Sequence, residues 1–262
     1  MKTFLSIIAT FFCITVIAQP GSWRQIGQSG AWVNTMKMVQ VDDKIYTVEK
    51  SGAFFETNTT TGTWRKIGES NYANTKFMFA ANGLIYTIET SGSLYVINPS
   101  NGTWQQMGKP GEWIGTIAGT ILNGKLYTVE KSGALYVTSL ATGNWVQIGK
   151  PEFGNTWKVW AANRKLYSIE TSGTLYEIDG SSGSWRQIGE SGIWRNTIAG
   201  VVMNNLFYSV EQSGALYVTD LNVGVWKQLG DAAFGSTVFM GAGTNKLYTI
   251  ETSGSLYEVN VY

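Results

Sequence analysis

Six glutamates recur along this chain at intervals of 40 or 41 residues, and each is followed two positions later by Ser-Gly. They are Glu49, Glu89, Glu130, Glu170, Glu211 and Glu251. A carboxylate accepts hydrogen bonds, ligates calcium, and works as acid or base in glycoside hydrolysis. The spacing therefore predicts six copies of one polar site, whose chemistry depends on the residues beside each glutamate.

An aromatic residue stands 17 positions before each of these glutamates. The aromatic residues are Trp32, Tyr72, Trp113, Phe153, Trp194 and Phe234, and two positions later come Asn34, Asn74, Gly115, Asn155, Asn196 and Ser236. The C–H groups of a sugar stack on an aromatic face, while amide and carboxylate groups bind its hydroxyl or N-acetyl groups. We expect these aromatic residues, the four Asn residues and the six glutamates to bind ligand on one face of the fold.

The elements that must position these residues belong to a repeat of about forty residues. Its first marker is a tryptophan, at Trp23, Trp64, Trp104, Trp145, Trp185 and Trp226. Short runs rich in β-branched and aromatic residues alternate with turn clusters, and no segment after residue 18 has apolar residues at helical spacing. Four antiparallel strands per unit of this length are typical of a β-propeller blade.

The two ends of the repeat array complement each other. Residues 21–27 match the last strand of a repeat, and residues 256–262 match a third strand with no fourth strand after it. The sequence thus predicts an all-β, six-bladed β-propeller, with four antiparallel strands per blade, closed by the N-terminal strand completing the sixth blade. Ring closure leaves no open sheet edge that could pair with another chain.

Residues 1–18 have the composition of a secretory signal peptide. Lys2 precedes an apolar run from Phe4 to Ile17 that is too short for a membrane span, and Ala18 suits cleavage. We expect a mature propeller of residues 19–262 that is secreted or extracellular. The single cysteine, Cys13, lies within the leader, so the mature domain has no disulfide.

Several repeated residues have a structural explanation. The Ser-Gly step supplies positive φ for a tight hairpin turn, and the repeat tryptophans, from Trp23 onward, are interpreted as core wedges between blades. The second-strand tyrosines are also interpreted as packing: Tyr46, Tyr86, Tyr127, Tyr167, Tyr208 and Tyr248. The repeated loop threonine could close its loop by bonding to backbone.

A period of two repeats overlies the first. Odd loops carry Trp32, Trp113 and Trp194, whereas even loops carry Tyr72, Phe153 and Phe234 and are one residue shorter. The ring is therefore approximately three copies of a two-blade unit. Its sites would come as three equivalents or as six in two classes.

Charge and composition narrow the function classes. The chain has 19 basic residues, one of them Lys2, and 18 acidic ones, so the remainder is balanced and favours neither nucleic acid nor an anionic membrane. It contains no histidine, which removes the commonest general base and zinc ligand. Six like glutamates also fail to provide the unlike acid and base of a glycosidase. We expect no catalytic residue, no metal-binding residue and no cofactor. Calcium at the glutamate ring stays open as an alternative, although no Asp-rich coordination loop is present.

Two strings resemble the loops of the tachylectin-2-type β-propeller lectins. They are Ile26-Gly27-Gln-Ser-Gly30-Ala31-Trp32 and Ile188-Gly189-Glu-Ser-Gly192-Ile193-Trp194, and the apolar first strand leading to Ile85-Tyr86 matches the longer pattern. The resemblance implies N-acetylated hexosamine binding between adjacent blades, with roles for Trp32, Trp113 and Trp194. This chain departs from the family in having six blades instead of five and in lacking the second glycine before the tryptophan.

Two functions fit these observations. The first is a multivalent lectin that binds neutral or N-acetylated sugars of cell-surface glycans or polysaccharides, because repeated weak sites gain strongly from simultaneous engagement. The alternative is a non-catalytic structural or protein-interaction propeller of an extracellular adhesin or matrix, with its protein partner on the same face. Saturable binding on a glycan array would support the lectin, whereas a silent array with a captured protein would support the alternative.

Overall fold

The computed structural model describes residues 19–262, and the predicted signal peptide lies outside these residues. Within them the chain forms 24 strands and no helix, arranged in six four-stranded antiparallel sheets. The prediction of an all-β, six-bladed propeller is confirmed.

Each blade runs from its innermost to its outermost strand in chain order. After β1 (Trp23–Ile26), the first blade comprises β2 (Thr35–Val41), β3 (Lys44–Glu49), β4 (Phe54–Asn58) and β5 (Trp64–Ile67). The second comprises β6 (Thr75–Ala81), β7 (Leu84–Glu89), β8 (Leu94–Ile97) and β9 (Trp104–Met107). The third comprises β10 (Thr116–Leu122), β11 (Lys125–Glu130), β12 (Leu135–Ser139) and β13 (Trp145–Ile148).

The remaining blades repeat this order. The fourth comprises β14 (Thr156–Ala162), β15 (Lys165–Glu170), β16 (Leu175–Ile178) and β17 (Trp185–Ile188). The fifth comprises β18 (Thr197–Met203), β19 (Leu206–Glu211), β20 (Leu216–Asp220) and β21 (Trp226–Leu229). The sixth comprises β22 (Thr237–Ala242), β23 (Lys246–Glu251) and β24 (Leu256–Asn260), completed by β1.

The ring closes as the terminal repeats predict. β1 pairs antiparallel with β24, with Trp23 opposite Val259 and Ile26 opposite Leu256. The Arg24 guanidinium donates two hydrogen bonds to Glu258, of 3.1 and 2.9 Å. The first and last strands of the array are thus joined by main-chain and side-chain bonds.

The core lies between the blades, and its largest contributor is the second strand of each sheet. In β3, the four residues Ile45 to Val48 are buried, and the same four positions are buried in the second strand of every blade. When a strand is covered on both faces, consecutive residues are all buried, and buried and exposed residues do not alternate. The second-strand tyrosines lie in this layer, which confirms their interpretation as packing residues.

Candidate functional site

The loop aromatic residues and the glutamates meet in the clefts between neighbouring blades. The N–H of Trp32 donates to the carbonyl of Gly254 in the preceding blade at 3.0 Å. The carbonyl of Asn34 accepts from the N–H of Lys50, next to Glu49, at 2.9 Å. Both bonds recur in all six repeats, so every loop is fixed between two blades with its Asn, Gly or Ser beside the glutamate.

Each loop packs on the Ser-Gly hairpin of the preceding blade. All six of its glycines have positive φ, between 76° and 87°, which confirms the predicted turn. A Cβ on Gly92 would lie 2.3 Å from the backbone nitrogen of Ile114, so the loop of the next blade also needs the missing side chain. These glycines therefore serve both the turn and the close packing of successive blades.

The six loop aromatic residues are buried, with exposed fractions of 0–5%. The Trp32 indole nitrogen donates to the Thr57 hydroxyl at 3.3 Å, and the Tyr72 hydroxyl donates to the carbonyl of Gly102 at 2.8 Å. These rings pack between the faces of adjacent blades. The expectation that Trp32, Tyr72, Trp113, Phe153, Trp194 and Phe234 offer a free ring face to a sugar is therefore wrong.

Five of the six repeat tryptophans are exposed, although the sequence indicated that they would be buried. Trp23, Trp64, Trp104, Trp185 and Trp226 are 43–53% exposed, and Trp145 is half-buried, so their interpretation as core wedges is also wrong. They begin the outermost strand, which has a neighbouring strand on one side only. The signal was present in the sequence, because the two residues after each tryptophan are mostly Arg, Lys or Gln, as expected of an exposed strand.

Each of these tryptophans packs against an aromatic residue of the third strand. The Phe55 and Trp64 rings have centroids 4.7 Å apart at 80°, an edge-to-face geometry. The equivalent pairs are Tyr257–Trp23, Tyr95–Trp104, Tyr136–Trp145, Tyr176–Trp185 and Tyr217–Trp226. The edge contact fixes the indole while leaving much of its surface open to solvent.

Three clefts enclose similar cavities, of about 240, 200 and 240 Å³ in the first, second and fifth blades. Each is lined by the loop aromatic residue, its Asn, the glutamate, a second-strand hydroxyl, the third-strand aromatic residue and the exposed tryptophan. In the first blade these are Trp32, Asn34, Glu49, Thr47, Phe55 and Trp64. In the second they are Tyr72, Asn74, Glu89, Thr87, Tyr95 and Trp104, and in the fifth Trp194, Asn196, Glu211, Ser209, Tyr217 and Trp226.

The cavities occur in both loop classes, since the first and fifth blades have tryptophan loops and the second has a tyrosine loop. The Asn and Glu residues of these three blades thus line a common space, and their role in binding stays a prediction. The loop aromatic residue lies there too, but as a buried floor. The exposed tryptophan, the third-strand aromatic residue and the hydroxyl were missed.

The hydroxyls are the least visible of these residues in the sequence. Thr47, Thr87 and Ser209 line the three cavities, are 0–1% exposed and have no hydrogen-bond partner among the described residues. A buried hydroxyl without a partner costs about 1–3 kcal/mol. A polar ligand in the cavity could satisfy it only by displacing the atoms that cover it, because each hydroxyl oxygen is fully buried.

The glutamates are partly withdrawn from water. Burial raises the pKa of all six, and a hydrogen bond from the loop threonine lowers it in the first, second, third and fifth blades. The Thr116 hydroxyl donates to Glu130 at 2.6 Å and the Thr197 hydroxyl to Glu211 at 2.6 Å. In these four blades the loop threonine thus orients the carboxylate instead of bonding to backbone as the sequence suggested, whereas the hydroxyls of Thr156 and Thr237 have no partner among the described residues.

The third blade departs from the pattern. Gly115 replaces the Asn, a Cβ there would lie 2.7 Å from a Glu130 carboxylate oxygen, and Glu130 is the most buried of the six. Trp145 tilts onto Tyr136 at 4.0 Å and 41°, and its ring lies 6.0 Å from that of Trp113. The Glu130 carboxylate thus lies where an Asn side chain would begin, and the Trp145 indole packs against Tyr136 and Trp113.

The raised glutamate pKa values predict a stability that falls as the pH rises above about 4.5. The native state retains protons that the unfolded chain has already released in this interval. The free energy of unfolding must therefore decrease with rising pH until the buried carboxyls are ionised. Thermal melts from pH 4.5 to 7 should show this decrease, and Glu130→Gln should reduce it; Glu190→Gln, at an exposed position, is the matched control.

A second set of carboxylates limits stability on the acid side. Burial alone would raise the pKa of Glu56, but hydrogen bonds from Arg65, Lys44 and Tyr46 hold it below its usual value. The stability that such a group provides is present above its unfolded pKa and is lost as the pH falls through its folded value. Stability should thus pass through a maximum near pH 4.5, and a steady rise from pH 5 to 7 would contradict the prediction.

The rest of the described chain adds little that could bind a metal. No group of three or more His, Cys, Asp or Glu side chains in residues 19–262 is placed to hold a metal ion. A helix long and apolar enough to cross a membrane is likewise not found in these residues.

Comparisons with known proteins establish the fold alone. No protein-family model matches the chain, and no curated protein matches it. Virginiamycin B lyase from Staphylococcus aureus is 13% identical, with 87% of this chain and 80% of that chain covered and a TM-score of 0.60. A Bacteroides thetaiotaomicron protein of unknown function is 12% identical, with 92% and 76% covered and a TM-score of 0.70. YCF48 bound to D1 peptide is 15% identical, with 87% and 79% covered and a TM-score of 0.60. This chain is thus similar in fold to β-propellers of unlike function.

Proposed function

We propose that this protein is an extracellular, multivalent lectin that binds neutral or N-acetylated sugars in the clefts between its blades. The observation that carries the proposal is the repeated cavity that is lined by an exposed tryptophan, an amide, a carboxylate and a hydroxyl-bearing residue. A sugar ring offers C–H groups to the indole and hydroxyls to the polar side.

Size and charge both favour a single neutral sugar ring. The cavities, at about 200–240 Å³, are smaller than the roughly 300–1,000 Å³ pockets of drug-sized ligands. Each is lined by one glutamate and no basic residue, so an anionic sugar would meet only repulsion. The glutamate is a good acceptor for hydroxyl or amide donors.

The same lining argues against catalysis. Glycoside hydrolysis needs two carboxyl groups about 5–10 Å apart, and each of the three cavities has one glutamate and no aspartate. A form of the Staphylococcus aureus lyase in which one histidine is replaced by alanine is catalytically inactive, and this chain contains no histidine. A non-enzymatic role is the simpler proposal.

The burial of the loop aromatic residues changes which side chains we propose to contact the sugar. Stacking is assigned to Trp64, Trp104 and Trp226 in place of the loop aromatic residues, and polar contacts to the Asn and Glu of each cavity. The even second blade is included because its cavity matches those of the odd blades. The resemblance to tachylectin-2-type lectins, with sites between blades, stays a prediction.

The test is a glycan array followed by titration with the sugar that it identifies. Trp64→Ala, Trp104→Ala and Trp226→Ala should each remove one site per molecule, because a lost stacking partner costs roughly 1 kcal/mol or more beyond its area term. The triple variant should lose binding to a dense glycan surface far more steeply than any single variant. Melting temperatures should stay close to that of the unmodified protein, since the three side chains are about half exposed.

The matched control is Val223→Ala, which shortens an exposed apolar side chain in the turn between β20 and β21, outside the fifth-blade cavity. It should change neither stoichiometry nor avidity. Unaltered stoichiometry in all three tryptophan variants would refute the site assignment. An array without saturable binding would refute the lectin itself.

One observation favours a protein partner as a second candidate. Val33 and Ile114, each directly after a loop tryptophan, are 52% and 65% exposed on the face that carries the loops. YCF48, which shares the fold, has been solved with a bound peptide. Under this candidate, Val33→Ser with Ile114→Ser should abolish capture of a protein partner while leaving the array silent.

A further inference from the structure

The six innermost strands surround a central cavity of about 630 Å³ that is separate from the clefts. Three of its lining residues are charged, and all three are lysines: Lys37, Lys76 and Lys158. No Asp or Glu belongs to this lining within residues 19–262. The chain as a whole is nearly neutral, so this concentration of one sign is local.

Lys37 and Lys158 hold the same position in their repeats, two residues after the loop threonines Thr35 and Thr156. The inner strands contact one another in ring order, so the first and fourth blades face each other across the axis. The equivalent position is Phe77 in the second blade, Ala118 in the third, Ala199 in the fifth and Phe239 in the sixth. Lys37 and Lys158 thus lie on opposite blades, in a ring of equivalent positions whose other four residues are Phe or Ala.

These two ammonium groups are poorly compensated. Neither forms an ion pair with any residue of 19–262, whereas Lys76 donates to the carbonyl of Thr116 at 2.6 Å and lies near Glu130. Lys158 instead lies 4.6 Å from the centroid of the Trp157 ring. Burial lowers the pKa of Lys37, and burial together with the charge of Lys37 lowers that of Lys158.

We propose that the central cavity binds a dianionic oxyanion of the phosphate or sulfate class between Lys37 and Lys158. Lysine binds such anions as a point charge, and a dianion neutralises two lysines at once. Electrostatic attraction inside a partly enclosed cavity is stronger than at an open surface. The bound anion would convert a repulsion across the axis into a link between opposite blades.

The test is thermal unfolding of the whole protein at pH 7 and constant ionic strength, with chloride progressively exchanged for phosphate or sulfate. Both dianions should raise Tm saturably, by roughly 5 °C at saturation, because a ligand that binds only the folded state stabilises it. Lys37→Met and Lys158→Met should each abolish the saturable rise. Each should also melt higher than the unmodified protein in chloride alone, since one of two repelling charges is gone.

Phosphate and sulfate also stabilise proteins through exclusion from their surface, an effect that does not saturate. Lys150→Met, at an exposed lysine outside the cavity, therefore serves as the matched control and should keep the full saturable response. Equal responses in the control and in both cavity variants would overturn the proposal. So would an unmodified protein whose Tm rises only linearly with dianion concentration.

Discussion

Deletion of residues 19–28 is expected to lower the free energy of unfolding by several kcal/mol, the largest effect that a short truncation of this chain should produce. The deletion removes β1 and with it the outermost strand of the sixth blade. Burial of Ile26, which is 2% exposed, contributes roughly 1.5–3 kcal/mol alone. The strand pairing with β24 and the Trp23–Tyr257 contact are lost as well.

The ion pair between Arg24 and Glu258 adds to this loss. Arg24 is 54% exposed but the Glu258 side chain is only 6% exposed, so the deletion leaves a nearly buried carboxylate with Lys246 as its remaining partner. The more serious consequence is the bare edge of β24, whose main-chain groups are then free to pair with another molecule. We therefore expect the truncated protein to self-associate as well as to melt at a lower temperature.

A synthetic peptide of residues 19–28 provides the control. Added in excess to the truncated protein, it should restore most of the melting temperature and suppress self-association, because it re-forms the native register with β24 and buries Ile26 again. A peptide in which Ile26 is replaced by Ala should restore less. An unchanged melting temperature for the truncation would mean that β1 does not close the ring.

The architecture could be predicted because repetition supplies the same evidence six times. A single Glu-x-Ser-Gly hairpin is weak evidence, but six at one spacing, with complementary fragments at the ends, leave few alternatives to a closed ring. The positive φ of Gly52 and its equivalents followed from the turn chemistry for the same reason. The turn residues and the strand patterns of every repeat indicate the same blade structure that ring closure requires.

The roles of the aromatic residues could not be predicted in this way. Trp32 and Trp64 are both tryptophans beside turns, and periodicity gives them equal weight. Burial of the first depends on Gly27, where a Cβ would lie 2.8 Å from the Trp32 ring and 3.1 Å from the carbonyl oxygen of Gly62 in the next blade. Such contacts between blades are not encoded in the alternation within one strand.

The hydroxyl layer was missed for a related reason. Thr47 and its equivalents lie in strands that are buried on both faces, where threonine reads as an ordinary β-branched residue. Only the three-dimensional placement of Thr47 beside Glu49 and Trp64 reveals that it lines a cavity. The candidate site thus combines residues predicted from loops with residues found only in the fold.

Trp32→Ala is expected to lower the free energy of unfolding by about 3–5 kcal/mol, the usual cost of truncating a large aromatic residue in a core. Trp32 is 3% exposed and packs against Ile26, Ile45 and Leu256, so its removal leaves a void between the first and sixth blades. The Thr57 hydroxyl also loses its indole donor. Calorimetry or denaturant unfolding measures the loss.

Trp64→Ala is the matched variant, because both tryptophans line the same cavity while their exposures differ more than tenfold. It should cost only about 1 kcal/mol, from one edge-to-face contact, yet remove a sugar site that Trp32→Ala leaves in place in the folded fraction. The pair therefore separates a ring that holds blades together from a ring that meets ligand. Loss of a site with full stability in Trp32→Ala, and loss of stability with every site intact in Trp64→Ala, would reverse the assignment of the two roles.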